Sequence, residues 1–270
     1  MTMEFEYETI CRPNRKLSQD ALDELHASLR ELGALCLCPL PDYQVFNSSL
    51  SAAFEDKLLV VARQKNKIMA FVSVVLLETP RLEHPVVHSG LSCIHPDFRR
   101  SKGVLQQLFG YAFLHLLTAN PKGVWMTTVT DIVSSLVHMT KYCISNFPSP
   151  DNITRRGHPG PSDIHLQIAR DFSANHRSKA IIHPTAEFDE GTFVFRGSND
   201  HESAAAFLKD IDDPSHWHRD HATSAFYRGL IGPGTGDEVL LVGFLDPEHL
   251  KEITNSDRFR DQWMESYAKL

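Results

Sequence analysis

The segment with the clearest capacity for chemistry is a basic turn that contains Arg99, Arg100, Lys102 and Gly103. It lies between an apolar run and a long helical pattern. Backbone N–H groups and the positive end of a helix dipole can therefore face a pyrophosphate at this point, and the cationic side chains add matching charge. The residues alone predict a phosphate site, with a solvated basic turn as the alternative.

Two elements must position this turn. A strand is predicted over residues 86–94, ending at His95-Pro96-Asp97, and a helix is predicted directly after Gly103. Apolar residues in that helix recur every three or four positions for about four turns. They are Val104, Leu105, Leu108, Phe109, Ala112, Phe113, Leu116 and Leu117.

The rest of the N-terminal half also alternates strands and helices. A helix is predicted with Ser18 as N-cap and Gly33 as its stop, and two Val-rich runs at 58–63 and 68–75 predict a hairpin. A buried strand at 124–129 and a helix from 132 to 144 follow.

The C-terminal half is less regular. Residues 148–161 hold four prolines and two glycines, which predicts a linker or long loop and a boundary near residue 150. Beyond it we predict strands at 180–182, 192–195 and 239–244, and helices at 202–208, after Pro247 and after Ser256. We therefore expect residues 151–270 to form an α/β extension to a domain of residues 1–150, either completing its sheet or covering its substrate site.

Composition narrows the classes of partner. The 270 residues include 34 acidic and 27 basic side chains, for a net charge of -7, which disfavours non-specific binding to nucleic acid or to an anionic membrane and favours a cationic substrate. No basic and then apolar leader is visible, and the most apolar run is too short to span a bilayer. We expect a cytoplasmic protein with no nucleic-acid or membrane partner. Its five scattered cysteines should be reduced, and none has the spacing of a metal site.

Residues 95–105 read His-Pro-Asp-Phe-Arg-Arg-Ser-Lys-Gly-Val-Leu. This run resembles motif A of the GNAT superfamily of acyl-CoA-dependent N-acyltransferases, in which a His/Asn-Pro-x-Tyr/Phe-Arg lead precedes an Arg/Gln-x-x-Gly-x-Gly/Ala turn. The lead matches throughout, and Arg100 and Gly103 stand at the right spacing. Leu105 stands where the family prefers Gly or Ala, which affects how closely the backbone can approach a pyrophosphate.

A second match follows the next predicted strand. Ser135-x-x-His138-x-x-Lys141-Tyr142-x-x-x-Asn146-Phe147 has the spacing of the family's motif B, Asn-x-x-Ala-x-x-Leu-Tyr-x-x-x-Gly-Phe. Tyr142 and Phe147 match by identity. Because Asn tolerates a left-handed backbone, Asn146 is expected to replace the family's glycine in that conformation.

The resemblance, which covers residues 1–150, implies an α/β fold with a mixed, mostly antiparallel, splayed sheet flanked by helices. It also implies acetyl-CoA as co-substrate, with the thioester near backbone N–H groups that stabilise the oxyanion. The residues implied in cofactor binding are Cys93, Ile94, Arg99, Arg100, Ser101, Lys102, Gly103, Val104, Leu105 and Ser135.

Two side chains are candidates for proton transfer. Tyr142 occupies the family's general-acid position and could protonate the leaving thiolate; the alternative is a packed helix tyrosine. Many family members use a strand glutamate as base, but residues 86–94 contain none, so His88 is the nearest titratable substitute. A structural role for His88 is the alternative, and Glu78 and Glu83 are further options for the base.

These inferences predict transfer of an acetyl group from acetyl-CoA to a primary amine of a small, possibly cationic molecule. One alternative is a catalytically degenerate GNAT-like protein that binds acyl-CoA or another ligand without turnover. A second is a metal-dependent hydrolase, because His216, His218, Asp220 and His221 spell a His-x-His-x-Asp-His pattern. The alternative interpretation of that pattern is a structural one, a polar loop around Trp217.

Overall fold

The computed structural model describes residues 5–99, 103–150, 160–199, 205, 207–208, 210–232 and 236–255. Those of the described residues that fall within 5–77, 89–122 and 251–255 belong to a first compact unit, and those within 78–88 and 123–250 belong to a second. The predicted helices at 202–208 and after Ser256 fall wholly or mostly outside the described residues.

The first unit is a sheet with helices. Its elements are β1 (Glu6–Cys11), α1 (Gln19–Cys36), α2 (Leu50–Phe54), β2 (Lys57–Gln64), β3 (Lys67–Leu77), the second part of β4 (Val86–Ile94) and α3 (Val104–Ala119). The strand order is β1-β2-β3-β4, and β2 pairs antiparallel with both β1 and β3.

The predicted hairpin is confirmed, with a two-residue turn between β2 and β3. Lys65 and Asn66 both have positive φ, 50° and 66°, as a type I′ turn requires, and the strands meet at the pair Gln64↔Lys67. Residues 58–62 of β2 are completely buried in succession. Both faces of this strand are therefore covered, and α3 packs against β2 and β3 while α1 packs against β3.

Helix α1 begins as predicted but does not end as predicted. The Ser18 hydroxyl accepts a hydrogen bond from the Ala21 N–H, so Ser18 is the N-cap. Gly33 was expected to stop the helix, yet α1 continues to Cys36. A Cβ at Gly33 would lie 2.6 Å from the ring of Phe46 and 2.8 Å from Leu40, so this glycine permits close packing and does not end the helix.

The second unit is built around β5 (Val124–Thr130) and β9 (Glu238–Leu245). These strands pair antiparallel over seven residues, from Val124↔Leu245 to Thr130↔Val239. The first part of β4 pairs in parallel with β5 from Val86↔Trp125 to His88↔Thr127. The other elements are α4 (Val133–Tyr142), β6 (Ile144–Phe147), α5 (Asp163–Asn175), β7 (Glu187–Asp189), β8 (Val194–Arg196), α6 (His221–Ile231) and α7 (Pro247–Asn255), whose last residues belong to the first unit.

Strand β9 has partners on both sides. β5 lies along one edge, while β6 and β8 pair antiparallel with opposite ends of the other edge, and β7 pairs with β8. The mixed, mostly antiparallel sheet flanked by helices that the sequence predicts is confirmed. None of the helices in the described ranges has the length and apolar character needed to cross a membrane.

Several local predictions in this unit were wrong. Residues 180–182 are not a strand: Arg177–Ala180 form a 3-10 helix, and Ile181 is left-handed (φ 56°). The helix predicted to reach residue 144 ends at Tyr142, and Ile144–Phe147 pair with β9 instead. At Ile144–Phe147 a hydrogen-bonding partner far along the chain outweighs the local pattern, whereas at residues 180–182 local hydrogen bonds of the 3-10 turn, such as Ile182 N–H to the Arg177 carbonyl (3.1 Å), replace the strand.

Helices α5 and α6 were not predicted from the sequence. The buried face of α5 contains His165, Ile168, Ala169 and Phe172, at helical spacing but with a histidine among the apolar residues. His165 Nδ1 accepts a hydrogen bond from the Ser162 N–H (3.2 Å), and its Nε2 donates to the Ser145 carbonyl (2.6 Å). These hydrogen bonds satisfy the His165 imidazole, so it can be buried at a position where the sequence pattern predicts an exposed polar residue.

Replacing Gly33 with Ala tests whether close packing sets this position. Helix propensity alone favours Ala by roughly 0.5–1 kcal/mol, but overpacking against Phe46 costs about 1–3 kcal/mol, so Gly33→Ala should lower the free energy of unfolding measured in urea. Gly229→Ala in α6 is the matched control, because nothing lies within 4 Å of its added Cβ. Stabilisation by both substitutions would show that Gly33 is not a packing glycine.

Candidate active site

The candidate cofactor turn begins where β4 ends. Residues Pro96–Phe98 form a 3-10 turn whose Asp97 N–H donates to His95 Nδ1 (3.3 Å). The Phe98 side chain is buried, with its ring 5.5 Å from that of Phe5 in an edge-on contact. This packing anchors the His-Pro-x-Phe lead and leaves Arg99 exposed directly after it.

Gly103 is the N-cap of α3 and has a left-handed backbone, with φ 91° and ψ -15°. It provides no capping side chain, and within the part of the chain that the structure describes no atom lies within 4 Å of a Cβ added there. The backbone at the start of this 16-residue helix is therefore open in front of Gly103, as an anion site needs. Val104 is buried and Leu105 is half-buried, while Arg100, Ser101 and Lys102 lie outside the described residues.

Strand β4 changes its neighbours along its length. Its parallel register with β5 covers Val86, Val87 and His88, and the residues from Ser89 onward belong to the first unit. In that part Cys93 is buried and Ile94 is half-buried. These are the two backbone positions predicted to face the thioester, and no contact tests that role.

A buried glutamine that the sequence did not reveal holds this part of β4. Gln44 Oε1 accepts hydrogen bonds from the Ser73 hydroxyl (2.6 Å) and from the Leu91 N–H (3.3 Å). Its amide nitrogen donates to the Tyr43 hydroxyl (2.8 Å). A Cβ at Gly90 would collide with the Gln44 side chain. Gly90, three residues before Cys93, thus makes room for the Gln44 amide that orders the strand.

Tyr142 is the last residue of α4 and is only 2% exposed. Its hydroxyl accepts a hydrogen bond from Lys141 Nζ (3.2 Å), and its ring lies 5.1 Å from that of His138. Burial, with the Lys141 charge adding, lowers the pKa of His138 to about 4, so this imidazole is neutral at physiological pH. Tyr142 therefore sits between an ammonium donor and a neutral ring.

His88 is also only 2% exposed. The Thr127 hydroxyl donates a hydrogen bond to the Val87 carbonyl (3.3 Å). The Thr127 oxygen therefore accepts a hydrogen bond from His88 Nδ1–H (3.1 Å). This assigns the proton to Nδ1 and leaves Nε2 as the basic nitrogen. The ring packs 5.1 Å from Phe172 of α5.

Of the remaining motif B residues, Asn146 is placed differently from expectation, and the role predicted for Ser135 stays a prediction. Ser135 lies exposed in the first turn of α4. Asn146 was expected to be left-handed, but Ser145 adopts that conformation (φ 51°). Asn146 instead donates from Nδ2 to the Cys143 carbonyl (2.6 Å), which bridges the end of α4 to β6.

The histidine-rich segment forms turns and a helix cap. Asp220 caps α6, accepting from the Ala222 N–H (3.0 Å) and the Thr223 hydroxyl (2.8 Å). His218 Nδ1 accepts from the Asp220 N–H (3.1 Å), and His216 ends a 3-10 turn. In the part of the chain that the structure describes, no three His, Cys, Asp or Glu side chains are grouped to bind a metal ion.

A buried acid at the start of β9 was also missed. Glu238 is 5% exposed, and its carboxylate accepts from the Ser198 hydroxyl (2.5 Å). Burial raises the pKa of Glu238 to about 7, with the nearby Asp131 carboxylate adding to the rise. Nothing local in the sequence marks Glu238, because its environment is formed by residues distant along the chain.

The second unit also contains a cavity of about 880 Å³ between the segment 78–82 and one face of α5. Glu78, one of the predicted options for a base, lines it together with Asp163 and Asp171. Arg81 and Arg170 line it as well, so the cavity is polar with charges of both signs. Its volume suits a small molecule.

No protein-family model and no curated protein sequence matches the chain. Part of the chain is similar to solved acetyltransferases of the GNAT family, the family that the two motifs predict. One from Brucella melitensis, in complex with acetyl-CoA, is 12% identical over 46% of this chain and 76% of its own, with a TM-score of 0.33. An aminoglycoside acetyltransferase from an uncultured soil sample is 14% identical over 43% and 71%, with a TM-score of 0.33. A ribosomal-protein-alanine N-acetyltransferase from Brucella melitensis biovar Abortus is 16% identical over 40% and 69%, with a TM-score of 0.30.

The raised pKa of Glu238 predicts a pH-dependent stability. Between about pH 4.5 and 7 the folded protein holds a proton that the unfolded chain releases, so the wild type loses stability as pH rises through this window. Glu238→Gln removes that loss. Relative to the wild type, the free energy of unfolding of Glu238→Gln, measured in urea, should therefore rise by on the order of 2–3 kcal/mol from pH 5 to pH 8.

The control for this experiment is Glu187→Gln, which changes an exposed carboxylate of β7. Its stability difference from the wild type should stay constant over the same pH range. Parallel pH profiles for Glu238→Gln and the wild type would rule out a buried proton on Glu238.

Proposed function

We propose that this protein is an acyl-CoA-dependent N-acyltransferase that moves an acetyl group from acetyl-CoA to a primary amine of a small molecule. The observation that carries the proposal is Gly103. It is left-handed and open at the N-terminus of α3, within a run that matches motif A.

The proposed cofactor site lies at the end of β4. The pyrophosphate accepts backbone hydrogen bonds from the start of α3, at Gly103, Val104 and Leu105, and the helix dipole adds to its stabilisation. Its charge is paired by Arg99, Arg100 and Lys102, with Ser101 in the same turn. The pantetheine arm follows the backbone at Cys93 and Ile94, and Ser135 is the proposed contact at motif B.

In the proposed reaction the amine nitrogen attacks the thioester carbonyl. An oxyanion and a C–N bond form, and the C–S bond then breaks. The proposed acid is Tyr142, whose phenol protonates the departing thiolate; the Lys141 ammonium that hydrogen-bonds its oxygen favours loss of that proton. The proposed base is His88, acting through Nε2 because Nδ1–H is bonded to Thr127.

The proposed acceptor is a small, cationic amine. The net charge of -7 attracts cations, and the cavity lined by Glu78, Asp163 and Asp171 offers carboxylates to an ammonium group. Helix α5 links this cavity to the proposed base, because its residue Phe172 contacts His88 while Asp171 lines the cavity.

A catalytically degenerate protein that binds acyl-CoA without turnover is the second candidate. Two observations favour it: Tyr142 and His88 are each only 2% exposed, and Leu105 stands where motif A has a smaller residue. This candidate predicts binding of acetyl-CoA with no release of free thiol in the presence of any amine.

Calorimetric titration with acetyl-CoA tests the cofactor site. The wild type should bind, and Gly103→Glu should weaken binding at least about tenfold, because a carboxylate would face the pyrophosphate. Gly232→Glu is the control, since Gly232 is another glycine with positive φ (83°) and no atom of the described residues lies within 4 Å of its added Cβ. A wild type that does not bind, or equal weakening by both substitutions, would refute the site.

Tyr142→Phe tests the acid. With a panel of small primary amines and free thiol as the readout, kcat should fall about 10²-fold or more while the Kd for acetyl-CoA stays unchanged. The matched control is Tyr227→Phe, another buried tyrosine of the second unit, whose hydroxyl donates to the Pro148 carbonyl (3.1 Å). Equal kcat values for Tyr142→Phe and the wild type would remove Tyr142 from the mechanism. Release of no thiol by the wild type would instead favour the degenerate protein.

A further inference from the structure

The cavity beside α5 also contains arginines, which the proposed binding of a cationic amine does not use. It lies in the second unit, between residues 78–82 and one face of α5, and its volume is about 880 Å³. The Gln167 side-chain amide donates a hydrogen bond to the Arg81 carbonyl (3.4 Å), which joins the segment to the helix. The acidic and basic side chains that line the cavity, apart from a histidine, are Glu78, Arg81, Asp163, Arg170 and Asp171.

Two of these side chains are already bound by protein groups. Arg170 donates from Nε and Nη2 to the two carboxylate oxygens of Glu190 (2.9 and 2.7 Å). Asp171 accepts at one oxygen from Asn175 Nδ2 (2.8 Å) and at the other from His176 Nε2 (3.2 Å). A ligand that paired with either side chain would compete with these hydrogen bonds.

The other three charges are available to a ligand. Glu78, Arg81 and Asp163 are exposed. Among the residues that the structure describes, no hydrogen bond or ion pair involves the side chain of any of the three. No ion pair joins Arg81 to either carboxylate, so the cavity presents one positive and two negative charges to whatever enters it.

Apolar side chains line the same cavity. Pro80 and Leu82 contribute from the segment 78–82, and Leu166 and Ala174 contribute from α5. A short aliphatic chain can pack against these residues while its charged ends meet the polar side chains, the usual division of labour in a small-molecule site.

We propose that this cavity binds a basic α-amino acid and that this amino acid is the amine acceptor. At neutral pH such a ligand carries two cationic groups and one carboxylate, which complements the charges of Glu78, Asp163 and Arg81. The Arg81 guanidinium can hold the ligand carboxylate through two parallel N–H donors, and the two carboxylates of the cavity pair with the ligand cations. The ligand is still cationic overall, as the net charge of -7 favours.

The role of this ligand as acceptor rests on the proposed acetyl transfer, whereas its binding to the cavity does not. In the transfer, an ammonium group of the amino acid loses one proton to His88 before attack and a second as its nitrogen forms the C–N bond with the acetyl carbon. The C–S bond breaks, and coenzyme A leaves as a thiol with a proton from Tyr142.

Three ligands that differ by one group test the charge pattern, in calorimetric titrations of the full chain at low ionic strength and without acetyl-CoA. L-Lysine has both cations and the carboxylate, cadaverine lacks the carboxylate, and L-norleucine lacks the side-chain ammonium. The wild type should bind lysine at least about threefold more tightly than either analogue, because each analogue leaves part of the pattern unpaired.

Substitutions in the same titrations assign each charge. Arg81→Gln should remove the preference for lysine over cadaverine, because it removes the partner of the ligand carboxylate. Glu78→Gln and Asp163→Asn should each weaken the binding of lysine and cadaverine alike. The matched controls are Arg219→Gln and Glu187→Gln, which change exposed charges of the second unit outside the cavity and should keep the wild-type Kd values.

A wild type that does not bind lysine, or that binds cadaverine as tightly as lysine, would overturn the proposal. So would an Arg81→Gln variant that keeps the preference for lysine.

A thiol-release assay with acetyl-CoA separates this proposal from the proposed reaction. Lysine should give a higher kcat/KM than cadaverine. Equal kcat/KM values for the two amines would leave acetyl transfer in place and remove the amino acid as its acceptor. Binding of lysine to the cavity with no release of thiol would overturn acetyl transfer to it and leave the cavity ligand in place.

Discussion

The buried amide of Gln44 is the interaction on which the candidate site depends. Its oxygen holds the Leu91 N–H of β4 and the Ser73 hydroxyl of β3, and all three groups are buried. Removing the amide would leave two buried donors without an acceptor, at a cost of roughly 1–3 kcal/mol each. Since the backbone from Leu91 leads to Cys93, Ile94 and Arg99, the same amide orders the strand end that carries the candidate cofactor turn.

In the second unit, strands from the two halves of the chain pair with each other. β5 comes from the N-terminal half, and its partner over seven residues, β9, comes from the C-terminal half. Both strands are almost entirely buried, so each needs the other to satisfy its backbone hydrogen bonds. The proposed acid and base, Tyr142 and His88, are built into this unit through α4 and the first part of β4.

The sequence by itself determined the elements whose signals are local. Ser18 marks the start of α1, two Val-rich apolar runs mark the β2–β3 hairpin, and an apolar stripe marks α3, because capping and periodicity act over a few residues. The start of α3 directly after Gly103 was likewise predictable. Only the tertiary structure decided that Gly33 packs against Phe46, and that Ser145 and not Asn146 is left-handed. Each of these depends on residues brought together from distant parts of the chain, and no local pattern records which partners will meet.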